Sequence, residues 1–298
     1  MTSTSVTSAR TAGLGPMAAI EARRLARHPV FLVGVVLAFV VLGLMYVIDD
    51  RPDFRDMLST PVIPAFFIGL TSLVATARLT RSTEAAVEAV ATAPGTEARR
   101  TAALAVACVV PFAAGVVWVA VMLVMAATKG AAPQEWWFGT MPAWEVWSIL
   151  VALGPVACMG GGLLGVLVGR WVHFPGAPAV VVVALVAITM VGQLPISEAD
   201  TAELRLWVPW AMFHSGTMPD GTTDLIEGNP LAYLGYLLCL CAAAVLVAIW
   251  HDRTARTRQL RGLIVGVVVI GLACLALAMT TGNPETLTSV PDPSAISE

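Results

Sequence analysis

The residues that could do chemistry are few and scattered. His28, His173 and His214, with Asp and Glu residues in loops, are the groups a membrane enzyme acting on lipid or peptide would use. No His pair or His–carboxylate cluster has the spacing of a metal site or an acid–base couple. His214-Ser215-Gly216 lacks a partner at a position that would complete a serine nucleophile. Cys108, Cys158, Cys239, Cys241 and Cys274 all fall in apolar runs, where they read as small packing residues rather than disulfide partners or metal ligands. No G-x-x-x-x-G-K-[ST] phosphate loop is present, so any ATP chemistry has to reside on another chain. The only lysine, Lys129, sits at the edge of an apolar run and offers no intramembrane amine for a Schiff base.

One charged stretch has a readable layout. In Arg78–Arg100 (RLTRSTEAAVEAVATAPGTEARR), Ser82 and Thr83 can cap a helix whose first turn carries Glu84, at the positive end of the helix dipole. Ala85 to Ala93 are good helix formers, and Pro94-Gly95 ends the element. Thr96 then caps the next helix, with Glu97 in its first turn. The expectation is a short separate helix held between two long ones, a geometry that transmits motion rather than one that catalyses.

The elements that position these residues follow from composition. The chain has 298 residues, 57% hydrophobic and 12% charged, with a mean hydropathy of +0.81. Soluble domains are about 25% charged, so a soluble globular protein is excluded. Seven runs free of Asp, Glu, Lys and Arg approach the roughly 20 residues of a membrane span, near 30–48, 61–77, 102–128, 149–169, 178–194, 233–250 and 262–280. The predicted fold class is all-α, a polytopic membrane helix bundle of about seven transmembrane helices with an N-terminal amphipathic helix. Residues 16–281 form one transmembrane domain, flanked by disordered tails at 1–15 and 282–298. The first run is followed by Asp49-Asp50-Arg51 rather than a small-x-small site, so it reads as a retained span and not a cleaved signal.

Within the spans, Pro111 and Pro155 should break or kink their helices by removing an N–H and crowding the preceding turn. Gly161, Gly165 and Gly169 recur every fourth residue, and Gly262 and Gly266 repeat the spacing, so both stripes can be helix contacts. The 16–28 segment (PMAAIEARRLARH) gathers Arg23, Arg24 and Arg27 on one side and Ala18, Ala22, Leu25 and Ala26 on the other, although Ile20 lies among the arginines. It reads as an interfacial helix lying on the inner leaflet. Leu204 to Phe213 (LRLWVPWAMF) is apolar, too short to span and broken by Pro209, hence a re-entrant or interfacial segment.

Placing the N-terminus in the cytoplasm puts 13 of the 17 Lys and Arg residues inside and 15 of the 20 Asp and Glu outside. This is the asymmetry of the positive-inside rule, with the C-terminus extracytoplasmic. Trp136, Trp137, Trp144, Trp147, Trp207 and Trp210 then fall at the outer boundary and Trp171 and Trp250 at the inner, as headgroup anchors. No charge lies within a span, which argues against proton- or ion-coupled transport.

A basic amphipathic segment before span one, an Arg81-x-x-Glu84-x-x-x-Glu88 helix ending at Thr92-Ala93-Pro94 before Arg99-Arg100, and a long outer loop before span six together resemble the permease subunits of bacterial type-2 ABC exporters. The resemblance covers residues 17–250 and rests on layout. Ala86-Val87 and Ala93 stand where that family has a Gly-Thr pair and the Thr of a Thr-Pro step, and the seventh span is extra.

The resemblance implies a transport subunit, not an enzyme. It would sit in the cytoplasmic (inner) membrane as half of a dimeric export path, with a second permease copy or homologous permease. The 78–100 loop, through Arg81, Glu84, Glu88, Pro94, Arg99 and Arg100, would be the coupling helix that docks a separate ABC ATPase. This chain would bind no cofactor, ATP and Mg being held by the ATPase, and its other partner would be the lipid bilayer, with no nucleic acid. A non-transporting membrane partner, an immunity protein or the membrane enzyme are the other readings of such a bundle.

Overall fold

A backbone surrounded by lipid must satisfy its own N–H and C=O groups, and the charge-free runs do so as helices. The structure, a computed structural model, describes residues 14–48, 58, 60–89, 96–128, 142–193, 205–211, 213 and 228–281, without the side chains of 83–89 and 193. The remaining parts of the tails, Trp136, Trp137, Pro94 and His214 lie outside the described residues.

In chain order the helices are α1 (Leu14–Ala26), α2 (Pro29–Ile48), α3 (Val62–Pro64), α4 (Leu70–Ala89), α5 (Glu97–Ala107), α6 (Val109–Thr128), α7 (Ala143–Val151), α8 (Ala157–Trp171), α9 (Ala177–Gln193), α10 (Pro230–Trp250) and α11 (Arg258–Thr280). Two π-helical turns, Ala65–Gly69 and Ala152–Val156, join α3 to α4 and α7 to α8. Among the described residues the protein is all-helical, a membrane helix bundle with six stretches long and apolar enough to cross a bilayer: Pro29–Ile48, Val62–Ser82, Glu97–Thr128, Ala143–Trp171, Pro230–Trp250 and Arg258–Thr280. The seventh expected span is α9, whose 17 residues make it shorter than these. It still runs from the end where α8 stops to the end where α10 starts, since Gly192 lies against Val208 and the 205–211 segment is bonded to Tyr233 and Tyr236.

Both prolines act where their chemistry requires. A proline ring crowds the carbonyl four residues earlier. Helix α5 ends at Ala107, four before Pro111, and α7 ends at Val151, four before Pro155, which itself sits in the second π turn.

The bundle is organised on the seam between α4 and α8. A Cβ at Gly161 would overlap the Gly69 carbonyl, one at Gly165 the Leu73 carbonyl and the Thr76 hydroxyl, and one at Gly169 would crowd Thr80. Across this close approach the Ser72 hydroxyl donates to the Cys158 carbonyl at 3.2 Å and the Thr76 hydroxyl to the Gly162 carbonyl at 2.8 Å. Small residues and hydroxyls of this kind hold helices together where lipid removes the hydrophobic drive. Gly262 and Gly266, with the same spacing, have nothing within 4 Å of an added Cβ. Contacts between α10 and α11 run instead through Gly235 on Cys274 and Gly271 on Cys239. All five cysteines are free.

One expectation is corrected. Ser82 and Thr83 start no separate helix, because α4 continues unbroken to Ala89 and the Ser82 hydroxyl donates back to the Leu79 carbonyl at 2.9 Å, as a helix-interior serine does. The apolar face of α1 is partly covered by protein. Ala18 and Leu25 are buried, and α1 packs chiefly on α5. Its exposed side carries Arg23, Arg24, Arg27 and Ile20, the last 56% exposed, while Arg24 pairs with Glu21 at 2.9 Å and its other amine reaches the Ser82 hydroxyl at 3.4 Å.

Candidate functional site

Two regions of the bundle hold more than packing. The first lies at the basic end, where α4 passes Ser82, α5 begins and α8 and α10 stop. Thr96 caps α5, its hydroxyl accepting from the Arg99 N–H at 3.3 Å, which brings Glu97 into the first turn. Glu97 Oε1 meets His251 Nδ1 at 2.6 Å and Arg170 at 3.5 Å. The Arg170 side chain is 1% exposed, so its charge is held inside the protein beside a carboxylate. Asp252 accepts from the Thr254 N–H and hydroxyl at 2.8 and 2.7 Å and from the Ala98 N–H at 3.0 Å. It therefore caps the turn after α10 and the start of α5 at once. Burial alone would raise its pKa, but these hydrogen bonds and the Arg170 guanidinium hold the carboxyl below its ordinary value.

Aromatic rings close this junction. The Trp171 indole N–H donates to the Val247 carbonyl at 3.1 Å, joining α8 to α10, and its ring stands edge-on to His251 at 5.3 Å. Arg256 donates to the Trp250 and His251 carbonyls. Arg81 donates to the Val172 carbonyl at 2.7 Å and the Pro175 carbonyl at 3.4 Å, so it fastens the loop between α8 and α9 to α4.

The second region is an apolar cavity of about 410 Å³. Its walls come from Gly69 and Leu70 at the first π turn, Val156 at the end of the second, Ala157 to Leu167 of α8, Leu185 of α9 and Leu237 to Val247 of α10. Pro209 and Trp210 roof it at the end opposite the basic junction. The roof is a short 3-10 turn with buried Arg205, Leu206, Val208, Trp210 and Ala211. It is fixed by Tyr233, whose hydroxyl donates to the Val208 carbonyl at 2.6 Å and accepts from the Ala211 N–H at 3.1 Å, and by Tyr236, which donates to the Trp207 carbonyl at 3.3 Å. Irregular backbone at this depth is tolerated because protein surrounds it. Trp207 is 51% exposed, as an interface anchor would be, but Trp210 is only 5% exposed and faces the cavity, contrary to its expected headgroup position.

The sequence-derived site residues are distributed as follows. Arg81, Arg99 and Arg100 gather at the basic end with Arg23, Arg24 and Arg27. Glu84 and Glu88 lie on the part of α4 that runs past the apolar span, and their side chains, like the whole of Pro94, are outside the described residues. Gly161, Gly165 and Gly169 form the α4–α8 seam, whereas Gly262 and Gly266 face open space. His28 is isolated. Its Nδ1 is buried without a hydrogen-bond partner, and burial together with Arg78 pushes its pKa down. The His173 ring lies 6.3 Å from the His251 ring, and no group of three potential metal ligands occurs among the described residues.

Sequence reasoning did not find the Glu97–Arg170–His251–Asp252 junction or the cavity. The only trace of the junction was that each member sits at a helix terminus on the basic side. The chain matches no protein-family model, no curated protein and no solved structure.

Proposed function

We propose that the chain is the permease subunit of an ATP-driven exporter of the type-2 ABC kind, forming the translocation path with a second permease and receiving energy from a separate ATPase at its basic end. The observation that carries this reading is the course of α4. This helix lies along α8, contributes Leu70 to the cavity wall and continues beyond the apolar span from Ser82 to Ala89 without a break. A force on Glu84 or Glu88 would be transmitted as a rigid lever to the α4–α8 seam. The junction of Arg81 with the α8–α9 loop, and of Glu97 with Arg170 and His251, couples the neighbouring helix ends to the same movement.

On this reading the basic end faces the cytoplasm of a bacterial cell, because the sequence assigns 13 of the 17 cationic residues to that side. The chain is a transport subunit and not itself an enzyme, with ATP and Mg on the partner. The experiment is copurification with a co-expressed ABC ATPase subunit, followed by transport in vesicles. The E84K/E88K double variant should lose the ATPase while remaining folded. If that variant copurifies and transports as the wild type does, the docking assignment is wrong.

A further inference from the structure

The cavity has a shape and a polarity that the export reading does not use. Along α10 its lining runs from Leu237 to Val247, about 15 Å at the rise of a helix, or half the ~30 Å thickness of a hydrocarbon core. Along α8 it runs in parallel from Val156 to Leu167. Every lining side chain is apolar or glycine apart from the Cys241 thiol and the Trp210 indole N–H. An apolar space of this kind excludes water and takes apolar guests, and its volume lies in the range of small-molecule sites, about 300–1,000 Å³.

Its two ends differ. The outer end is closed by Trp210 and Pro209, pinned by Tyr233 and Tyr236. Residues one helical turn beyond the inner lining share its face. Beyond Leu167 these are Arg170 and Trp171, and beyond Val247 they are Trp250 and His251. Around that mouth stand Arg81, Arg170, His173, His251 and Arg256 against Glu97 and Asp252, so cationic and imidazole groups outnumber carboxylates. Both π turns border the cavity, through Gly69 and Val156, and such turns occur frequently at functional sites.

We propose that this cavity binds one long alkyl chain whose anionic head group lies at the basic end beside Trp171. The chain enters tail first from the inner leaflet, fills the space up to Trp210, and leaves its head among His173, Arg256 and the Trp171 indole. This assignment holds whether or not the protein works with an ATPase.

The test is photolabelling of the full-length protein in nanodiscs of zwitterionic phosphatidylcholine, with a hexadecanoic acid carrying a mid-chain diazirine. Labelling of peptides containing 156–167 and 237–247 should saturate near one label per chain. Labelling of the outward-facing α2 residues Val33, Val36 and Val40, which any lipid can reach, should not saturate and serves as the control. Ala244→Trp, which fills the cavity from the α10 wall, should lower the saturable label at least about tenfold and leave the α2 label unchanged. If A244W does not fold, A243L fills the same wall with a smaller side chain.

Unlabelled hexadecanoate should compete at least about tenfold better than hexadecyltrimethylammonium, which has the same tail and a cationic head. Competition by hexadecanoate identifies a free amphiphile, and competition by phosphatidylglycerol instead identifies a phospholipid tail; either supports the site. Labelling at the cavity that saturates no better than at α2, or that survives both filling variants, overturns the proposal. Equal competition by the cationic amphiphile overturns the head-group assignment.

Discussion

At one end of the bundle Tyr233 and Tyr236 hold the 205–211 turn through neutral hydroxyls, whereas at the other Glu97, Arg170, His251 and Asp252 join the ends of α5, α8 and α10 through ionisable groups. Neutral bonds buried in protein keep their strength whatever the pH or nearby charge. Ionic contacts at a helix junction respond to both, because their worth depends on protonation and on local fields. The difference gives the molecule a fixed roof and an adjustable base. The adjustable end is also the one where α4 projects beyond its apolar span, so a charged partner arriving there meets the part of the structure best able to react.

The largest effect should come from cutting the seam from which both ends hang. Gly165→Val places branched carbon against the Leu73 carbonyl and Thr76 and should cost about 3 kcal/mol or more, read as loss of the monodisperse peak after solubilisation. At the fixed end, Tyr233→Phe leaves the Val208 carbonyl and the Ala211 N–H without their buried partner. That costs about 2–4 kcal/mol, and hydrogen exchange at Ala211 should quicken equally at pH 5 and pH 8.

At the adjustable end, Asp252→Ala removes a carboxylate that caps two elements and should cost about 1–2 kcal/mol at neutral pH. Because the folded pKa of Asp252 is depressed, its contribution is complete above the unfolded carboxylate value of about 3.9 and fades as pH falls through the folded one. The wild type's advantage in melting temperature over D252A should therefore hold from pH 7 to 5 and shrink below about pH 4. A difference that stayed constant into acid would remove the contrast between the two ends. Smallest of all, Gly262→Val meets nothing among the described residues and should change stability by less than about 0.5 kcal/mol. A larger loss would locate another protein surface against α11.

The two glycine variants show what the sequence could and could not tell. Charge-free runs outlined the helices because a bilayer forbids other solutions, and Pro111 and Pro155 marked their breaks because a ring clash is a local event. Glycine spacing was ambiguous. Gly161, Gly165 and Gly169 face a helix of Ser72, Thr76 and Thr80, whereas Gly262 and Gly266 face none of the described residues, and nothing in the spacing records what lies opposite. Ser82-Thr83 read as a cap because hydroxyl residues favour helix starts, yet continuous packing of α4 on α8 carried the helix through them. The junction brings together positions 97, 170 and 251–252, whose proximity depends on three helices returning to one end. Trp210 has the composition of an interface anchor, and the bonds from Tyr233 to its neighbours, with its packing on Ala65 and Leu70, turn it inward.

Helix α9 has one more consequence. Its 17 described residues extend about 26 Å, against an average hydrocarbon core of about 30 Å. Lipid beside a short helix must thin to meet it or leave polar backbone facing acyl chains. If α9 spans with these residues alone, the bilayer along this flank, next to the cavity wall to which Leu185 belongs, is dimpled. The protein would then partition toward thin membranes and away from thick ones, a sorting preference set by one helix.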